Sequence, residues 1–374
     1  MKHENLYLDN AATTPLSTQV KQTIISMLDN FYNPSSIYQS GRDVKTLIED
    51  TRDKVAKFIN TDSDDIYFTS GGSASNTLAI RGYLHPARPE TCVFYSSIVH
   101  KSIIKCIDDL PNRSFKIPIN EDGSFDLNKL SNILPFYKHS LVVVDYANSE
   151  IGTIQDIKTL SDITHECKSI LYVDCTGSIP TVPLDVKELN IDMAGFSAHK
   201  LGALKGCGVL YKSPNIELES LIYGSQESGL FGGTENVLGI VALGTAVENY
   251  DYSSLTSYSK DYVLNYMEEN IPDFYLVGSK YNRLINNLYL CIKGVNGNQL
   301  MAMLDMDGIQ ISTGSACNNY SPEPSTVLTE IGIDHDDLQS CIRITFSCHE
   351  TKDQLDYLCQ RLKQNIDFLR NVNE

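Results

Sequence analysis

The stretch "SLVVVDYAN" at residues 140–148 is a run of branched apolar side chains that ends in polar residues. Such a run is typical of a strand buried on both faces of a sheet. Similar runs, separated by amphipathic stretches, occur at "IYFTSG" (66–71), "CVFYSS" (92–97), "SILYVDC" (169–175), "MAGFSA" (193–198) and "GVLYKS" (208–213). The alternation predicts an α/β fold, with a mostly parallel sheet covered by helices and an active site at the carboxyl ends of its strands.

The pattern changes after the apolar stretch 237–250. A polar, tyrosine-rich segment follows, and then short strands and a long C-terminal helix, as in a small α+β domain. At 374 residues the chain also exceeds the length of one ordinary domain. We therefore predict a large domain of residues 16–250 and a small domain made of residues 1–15 and 251–374.

The composition restricts the possible partners and the cellular location. The chain has a formal net charge of −17, which repels phosphate backbones, so we expect a protein partner and no direct nucleic-acid binding. The sequence has no apolar run of about 18 residues and no signal-like N-terminus, which predicts a cytoplasmic protein without membrane contact. The ten cysteines are scattered, without C-x-x-C pairs or zinc spacing. This pattern favours reduced thiols and no metal site.

The segment "FSAHKLG" (196–202) places Lys200 in a glycine-containing turn after a predicted strand. A lysine at a strand end can be shielded from water, and it is then a candidate to form a Schiff base with pyridoxal phosphate (PLP). Taken alone, however, the segment favours an ordinary lysine on a surface loop.

Three other features match what PLP needs. Asp174 ends an apolar strand and can pair with the ring nitrogen. The segment "TSGGSASN" (69–76) joins a strand to a helix and offers backbone N–H groups to a phosphate. His100 follows another strand and can stack on the ring. Each feature alone has a structural explanation, as a helix cap, a tight turn or a packing histidine. Together and in this order they favour a PLP site.

These motifs also complete a resemblance to a known family. With "YLDNAATTP" (7–15), "EIGTIQDI" (150–157), "GGTENV" (232–237), "STGSAC" (312–317) and "IRIT" (342–345), the chain resembles the cysteine desulfurases of the NifS/IscS type. These enzymes belong to the class V aminotransferase group of fold-type I PLP-dependent transferases. The resemblance runs nearly end to end. It implies a homodimer that converts L-cysteine to L-alanine and passes the sulfur, as a persulfide, to a sulfur-acceptor protein.

The resemblance also implies roles for individual residues. Lys200 would form the Schiff base and move protons, and Cys317 would become the persulfide, in a turn-rich segment typical of a surface loop. Arg343 would bind the substrate carboxylate, with Asn33 assisting. The cofactor contacts would come from Gly72, Ser73, His100, Ser149, Asp174, Ser197, His199 and, from a second subunit, Thr234.

The chain departs from the family near the ring oxygen of PLP. Ser149 and Gly177 stand where the family has asparagine and glutamine, and the sequence leaves open whether this change lowers activity or alters the substrate. A selenocysteine lyase or other class V enzyme, and a catalytically silent scaffold, stay as alternatives. Cys317 counts against the first, and Lys200 together with Cys317 counts against the second. The acceptor pathway also stays open among Fe–S assembly, tRNA thiolation and DNA phosphorothioation.

Overall fold

The computed structural model describes residues 5–84, 88–314 and 325–373. Its strands are short, and most of them lie in the first two thirds of the chain. They are β1 (Leu6–Tyr7), β2 (Ile66–Thr69), β3 (Val93–Ser96), β4 (Ser114–Ile117), β5 (Leu141–Asp145), β6 (Ile170–Asp174), β7 (Met193–Ser197), β8 (Gly208–Lys212), β9 (Phe274–Leu276), β10 (Asn287–Ile292), β11 (Ile309–Gln310) and β12 (Cys341–Thr345).

A helix separates each pair of successive strands from β2 to β6, and the later helices all follow β8. The helices are α1 (Thr18–Met27), α2 (Gln39–Phe58), α3 (Gly72–Tyr83), α4 (Lys101–Asp108), α5 (Leu127–Ile133), α6 (Ile157–Glu166), α7 (Val237–Glu248), α8 (Tyr258–Asn270), α9 (Gly297–Met306), α10 (Thr326–Glu330) and α11 (Lys352–Asn373). No helix within the described ranges is long and apolar enough to cross a membrane.

The large sheet has seven strands in the order β2-β8-β7-β6-β5-β3-β4. Neighbours from β7 through β4 run parallel, whereas β8 is antiparallel to both β2 and β7. The sheet is therefore mostly parallel, as the apolar runs predicted. Its central strands end in Asp145, Asp174 and Ser197, so polar groups gather at one edge.

Strand β5 shows how the sequence builds two apolar layers. Val142 and Val144 belong to the core that includes side chains of α1, α2 and α7. Leu141 and Val143 point to the other face, into the core that includes side chains of α3 and α4. Because side chains alternate along a strand, every residue of a buried central strand must be apolar until the strand ends. Asp145 continues the row of Leu141 and Val143 and therefore lies on the face covered by α3 and α4.

A second group of strands forms a separate antiparallel sheet in the order β12-β10-β9. Apolar side chains of β10 and β12 pack in one core with those of α8, α9 and α11. Leu6 and Leu8 from the N-terminal segment belong to this core as well. The proposed division of the chain at residues 16 and 250 stays a prediction.

Candidate active site

A cavity of about 290 Å³ opens at the carboxyl ends of β5, β6 and β7. Most of the residues predicted to form the site line it: Gly72, Ser73, His100, Ser149, Asp174, Ser197, His199, Lys200 and Arg343. The fold thus brings strand ends of the large sheet together with one strand of the second sheet.

Asp174, the last residue of β6, is a buried carboxylate with two well-formed hydrogen bonds. Its Oδ2 accepts from Nδ2 of Asn76 at 2.8 Å, and its Oδ1 accepts from the backbone N of Thr176 at 2.9 Å. The hydroxyl of Tyr172 in turn donates to Oδ1 of Asn76. This network holds the carboxylate in one orientation at the cavity, where it can pair with a protonated ring nitrogen.

One side of the cavity, which we call the α3 wall, consists of Gly72, Ser73, Thr176 and Ser197. The backbone N of Gly72 donates to Oγ of Ser197 at 2.8 Å. A Cβ at position 72 would lie 2.7 Å from that Oγ and 2.8 Å from Oγ1 of Thr176, so only glycine fits. Oγ1 of Thr176 is buried and has no hydrogen-bond partner among the described residues. Hydroxyl groups beside a helix N-terminus fit a phosphate group.

His199 and Lys200 lie in the turn that follows β7. Nζ of Lys200 donates to the carbonyl oxygen of Ala11, and Nδ1 of His199 lies 3.1 Å from Oγ1 of Thr13. Burial, together with the charges of Lys200 and Lys205, lowers the pKa of His199 to about 4. The imidazole is therefore neutral at pH 7 and can donate one hydrogen bond to an anion.

His100 immediately precedes α4 and caps its N-terminus. Its Nδ1 accepts from the backbone N of Ser102 at 3.2 Å and lies 2.8 Å from the Ser102 hydroxyl. These contacts hold the imidazole at the cavity, where its flat face can pack against an aromatic ring.

Arg343, on β12, reaches the cavity from the second sheet. Arg343 is only 2% exposed, and its Nη2 donates to Oδ1 of Asp9 at 2.7 Å. Nη1 donates to the carbonyl oxygen of Ser149 at 3.3 Å, and Nε has no partner in the described part of the chain. A buried guanidinium held in this way is suited to bind a carboxylate. Asp9, which orients it, was missed in the sequence because its pairing spans most of the chain.

The side opposite the α3 wall, which we call the β5 wall, consists of Asp145, Ser149 and Gly177. A Cβ at position 177 would lie 2.7 Å from the carbonyl oxygen of Ala147 and 3.2 Å from Cβ of Ser149. This close approach leaves no room for a larger side chain at position 177. Asp145 was not predicted as a site residue, although an acidic residue ending the apolar strand "LVVVD" was a visible signal.

Two predicted residues lie away from the cavity. Asn33 is exposed, and its Oδ1 accepts from the backbone N of Ser35 at 2.8 Å. Thr234 is also exposed. Neither residue lines the cavity of its own chain.

Cys317 lies outside the described residues, but the residues that flank the segment 315–324 both lie beside Glu150. Oγ of Ser325 donates to Glu150, and a Cβ at Gly314 would be 3.3 Å from Oε1 of Glu150. Burial raises the pKa of Glu150 above its usual value. Glu150 itself lines the cavity, so Gly314 and Ser325 lie close to the site.

A lysine after a strand end, a buried aspartate and a helix start with free space for an anion around one cavity are features that suit a PLP-dependent enzyme. The chain belongs to the aminotransferase class-V family, whose model matches residues 6–358. It is 36% identical to the "Cysteine desulfurase IscS" of Dictyoglomus turgidum, over 100% of this chain and 97% of the relative. The predicted family and its cofactor, PLP, are confirmed.

Solved structures confirm the predicted fold class. The NifS-like protein from Rickettsia africae has a TM-score of 0.88 and 30% identity, covering 97% of this chain and all of that chain. A structure described as SspA in complex with cysteine has a TM-score of 0.82 and 28% identity, covering 92% of this chain and all of that chain.

Proposed function

We propose that this protein is a PLP-dependent cysteine desulfurase that converts L-cysteine to L-alanine and passes the sulfur through Cys317 to an acceptor protein. One observation carries the proposal. In a chain of this family, Lys200, Asp174 and Arg343 line the same cavity. A lysine, a carboxylate and a guanidinium at one site are the groups that amino-acid chemistry on PLP requires.

The cavity walls fit the parts of PLP. Asp174 would pair with the ring nitrogen, the α3 wall and neutral His199 would hold the phosphate, and His100 would pack on the ring. Ser149 would contact the ring oxygen. When bound, PLP acts as an electron sink for the substrate.

Arg343 and Lys200 handle the substrate in this proposal. Arg343 binds the carboxylate of L-cysteine, and its ion pair with Asp9 holds the guanidinium plane in position. Nζ of Lys200 takes the proton from the substrate Cα and returns a proton to the product. Asn33 is not placed to assist Arg343 within one chain, because it does not line the cavity.

Cys317 is the proposed sulfur acceptor. Its thiolate forms a bond to the substrate sulfur while the bond between that sulfur and the substrate Cβ breaks, which leaves a persulfide and, after protonation, alanine. Gly314, three residues before Cys317 in the sequence, lies next to Glu150 at the cavity. This position supports the assignment.

We further propose a homodimer. Large apolar side chains are exposed in the segment between α1 and α2: Phe31 is 82% and Ile37 is 89% exposed. Exposed apolar clusters of this kind mark interaction surfaces. Asn33 lies between these residues in the sequence. In a dimer, Asn33 and Thr234 of one subunit would reach the cavity of the other. Light scattering should show twice the mass of one chain.

The acceptor that we propose is a protein with a basic surface, because the chain carries a net charge of −17. We propose the cytoplasm as the location, where thiols such as that of Cys317 stay reduced. Co-purification from the native cells should identify the acceptor and decide between the three pathways.

The experiment that tests the function measures alanine release from L-cysteine by the wild-type protein and by Cys317→Ser. We expect the variant to bind PLP normally and to release almost no alanine, because a serine hydroxyl stays protonated and is a weak nucleophile. Cys92→Ser, which changes a partly exposed cysteine elsewhere, is the matched control. Normal alanine release by Cys317→Ser would exclude the proposed sulfur transfer, and no release by the wild type would exclude the desulfurase activity.

A further inference from the structure

Asp145 is an acidic residue of the cavity that the reaction described above does not use. It ends β5 and is the direct register partner of Asp174, which ends β6. Neighbouring strands lie about 4.8 Å apart, and register partners point to the same face of a sheet. The two carboxyl groups are therefore neighbours, and both residues line the cavity.

The two carboxyl groups differ in their hydrogen bonds. Asp174 accepts from Asn76 and from the backbone of Thr176. Asp145 is only 6% exposed, yet its Oδ1 has no hydrogen-bond partner within the described residues. A buried polar atom without a partner is costly unless a ligand satisfies it.

The surroundings of Asp145 favour its neutral form. Burial is the largest cause that raises the pKa of Asp145, and the charge of Asp174 raises it further. Hydrogen bonds from its own backbone and from Asn148 lower the pKa, and the net result is a value of about 7. Near neutral pH a large fraction of Asp145 is therefore protonated and able to donate a hydrogen bond. The other titratable or charged groups that line the cavity are His100, Lys101, Glu150, His199, Lys200 and Arg343.

The order of the strands indicates which part of PLP would lie beside Asp145. PLP carries its phosphate arm and its phenolic oxygen on opposite edges of the ring, on either side of the axis through the ring nitrogen. Asp174 on β6 would hold that nitrogen, and Ser197 on β7 belongs to the wall that would hold the phosphate. Because β5 lies on the other side of β6 from β7, the phenolic oxygen would face the β5 wall.

We propose that Asp145 is a positioning residue for PLP, whose neutral carboxyl group donates a hydrogen bond to the phenolic oxygen of the cofactor. The proposal rests on the PLP site of the proposed function. The β5 wall needs such a donor, because Gly177 has no side chain and the Ser149 hydroxyl is short. When Asp145 loses its proton to water it can no longer donate, and its charge repels the electron-rich oxygen.

The test is the dissociation constant of PLP for the cofactor-free protein, measured across neutral pH for the wild type and for Asp145→Asn. The amide of asparagine donates at every pH. We therefore expect equal affinities near pH 5, and a wild-type affinity about tenfold weaker than that of the variant above pH 8. Asp162→Asn, which removes an exposed carboxylate on α6, should follow the wild type throughout.

A second variant covers the possibility that Asp145→Asn does not fold. Asp145→Leu keeps the number and branching of the side-chain heavy atoms but has no donor, so the wild type should bind PLP about tenfold more tightly than this variant at pH 5 and lose that advantage as the pH rises. If the ratio of the PLP dissociation constants of the wild type and Asp145→Asn did not change with pH, the proposal would be overturned. A wild type that binds PLP more tightly than Asp145→Asn at high pH would also overturn the proposal, because ionised Asp145 would then favour PLP binding.

These outcomes are separate from the fate of the proposed function. The binding measurement needs no turnover, so a constant ratio refutes the role of Asp145 alone. The absence of alanine release from L-cysteine by the wild type would instead refute the desulfurase activity.

Discussion

The two walls of the cavity are built by different means. The α3 wall is a helix start pressed against strand ends, where Gly72 touches Ser197 and Thr176 so closely that a Cβ does not fit. The β5 wall consists of loop and strand-end positions. Gly177 lies against the backbone of residue 147, and Oδ1 of Asp145 has no hydrogen-bond partner in the part of the chain that the structure describes. Within the described residues each wall has one buried oxygen without a hydrogen-bond partner, Oγ1 of Thr176 on the α3 wall and Oδ1 of Asp145 on the β5 wall, but only the second belongs to a group that can ionise.

This difference separates the groups that hold PLP from Asp145, whose protonation state changes how tightly PLP binds. The α3 wall presents backbone N–H groups and hydroxyls, which do not ionise near pH 7. Asp145 on the β5 wall titrates in this range. We therefore expect changes at the α3 wall and its neighbour Lys200 to abolish function, and changes at the β5 wall to alter it by degrees.

The largest effect is expected for Lys200→Ala. Without the amine, the protein loses both the covalent link to PLP and the group that moves the substrate proton, so alanine release should fall at least about 100-fold. The visible absorbance of the protein-bound cofactor should be lost as well. Lys205→Ala, five residues further along the same turn region and exposed, is the control and should behave like the wild type. If Lys200→Ala kept normal turnover, the cavity would not be the catalytic site.

Removing the charge of Asp145 should change the stability of the cofactor-free protein. Its folded-state pKa of about 7 lies above the usual value of 3.8, so ionisation destabilises the fold as the pH rises between these values. Asp145→Asn should therefore be more stable than the wild type above pH 7, by up to about 3–4 kcal/mol, and equal to it below pH 4. Urea unfolding at several pH values measures this difference. If the two proteins differed in free energy of unfolding by the same amount at pH 4 and pH 8, the pKa of Asp145 would not be raised in the folded protein.

Arg343→Lys should weaken substrate binding while leaving the two walls intact. Lysine keeps the charge but loses the forked donor, which should raise the KM for L-cysteine about tenfold with PLP affinity unchanged. Arg361→Lys is the matched control, because Arg361 on α11 forms a similar ion pair with Asp307 away from the cavity. An unchanged KM would show that the carboxylate binds elsewhere.

The smallest effects are expected from adding donors to the β5 wall. Gly177→Gln would force a Cβ to within 2.7 Å of a carbonyl oxygen, and it should destabilise the protein by about 1–3 kcal/mol. Ser149→Asn lengthens a side chain that already borders the cavity, and it should tighten PLP binding severalfold at high pH, where Asp145 no longer donates. Thermal unfolding and PLP titration measure the two effects. Equal stability of Gly177→Gln and the wild type would show that the wall can move.

The sequence was sufficient for the parts of the site that follow from strand ends. Asp174 and Lys200 could be predicted because each one follows an apolar run, and parallel strands bring their carboxyl ends together. The mostly parallel sheet followed from the same runs. The start of α3 was predicted from small residues at a junction between a strand and a helix.

The remaining parts depend on contacts between distant segments. Asp9 pairs with Arg343 across most of the chain, and Gly72 lies against Thr176 and Ser197, which come more than 100 residues later in the sequence. Asp145 was present in the stretch that revealed the fold, but its role depends on its register with Asp174. No local pattern contains that information.

The central claim is that sulfur from L-cysteine passes to Cys317. Mass spectrometry of peptides from the PLP-loaded wild-type protein after brief exposure to L-cysteine tests it most directly. We predict one additional sulfur on the peptide that carries Cys317, and none on those that carry the buried Cys341 and Cys348. An added sulfur on another cysteine, or alanine release with no added sulfur on Cys317, would contradict the account.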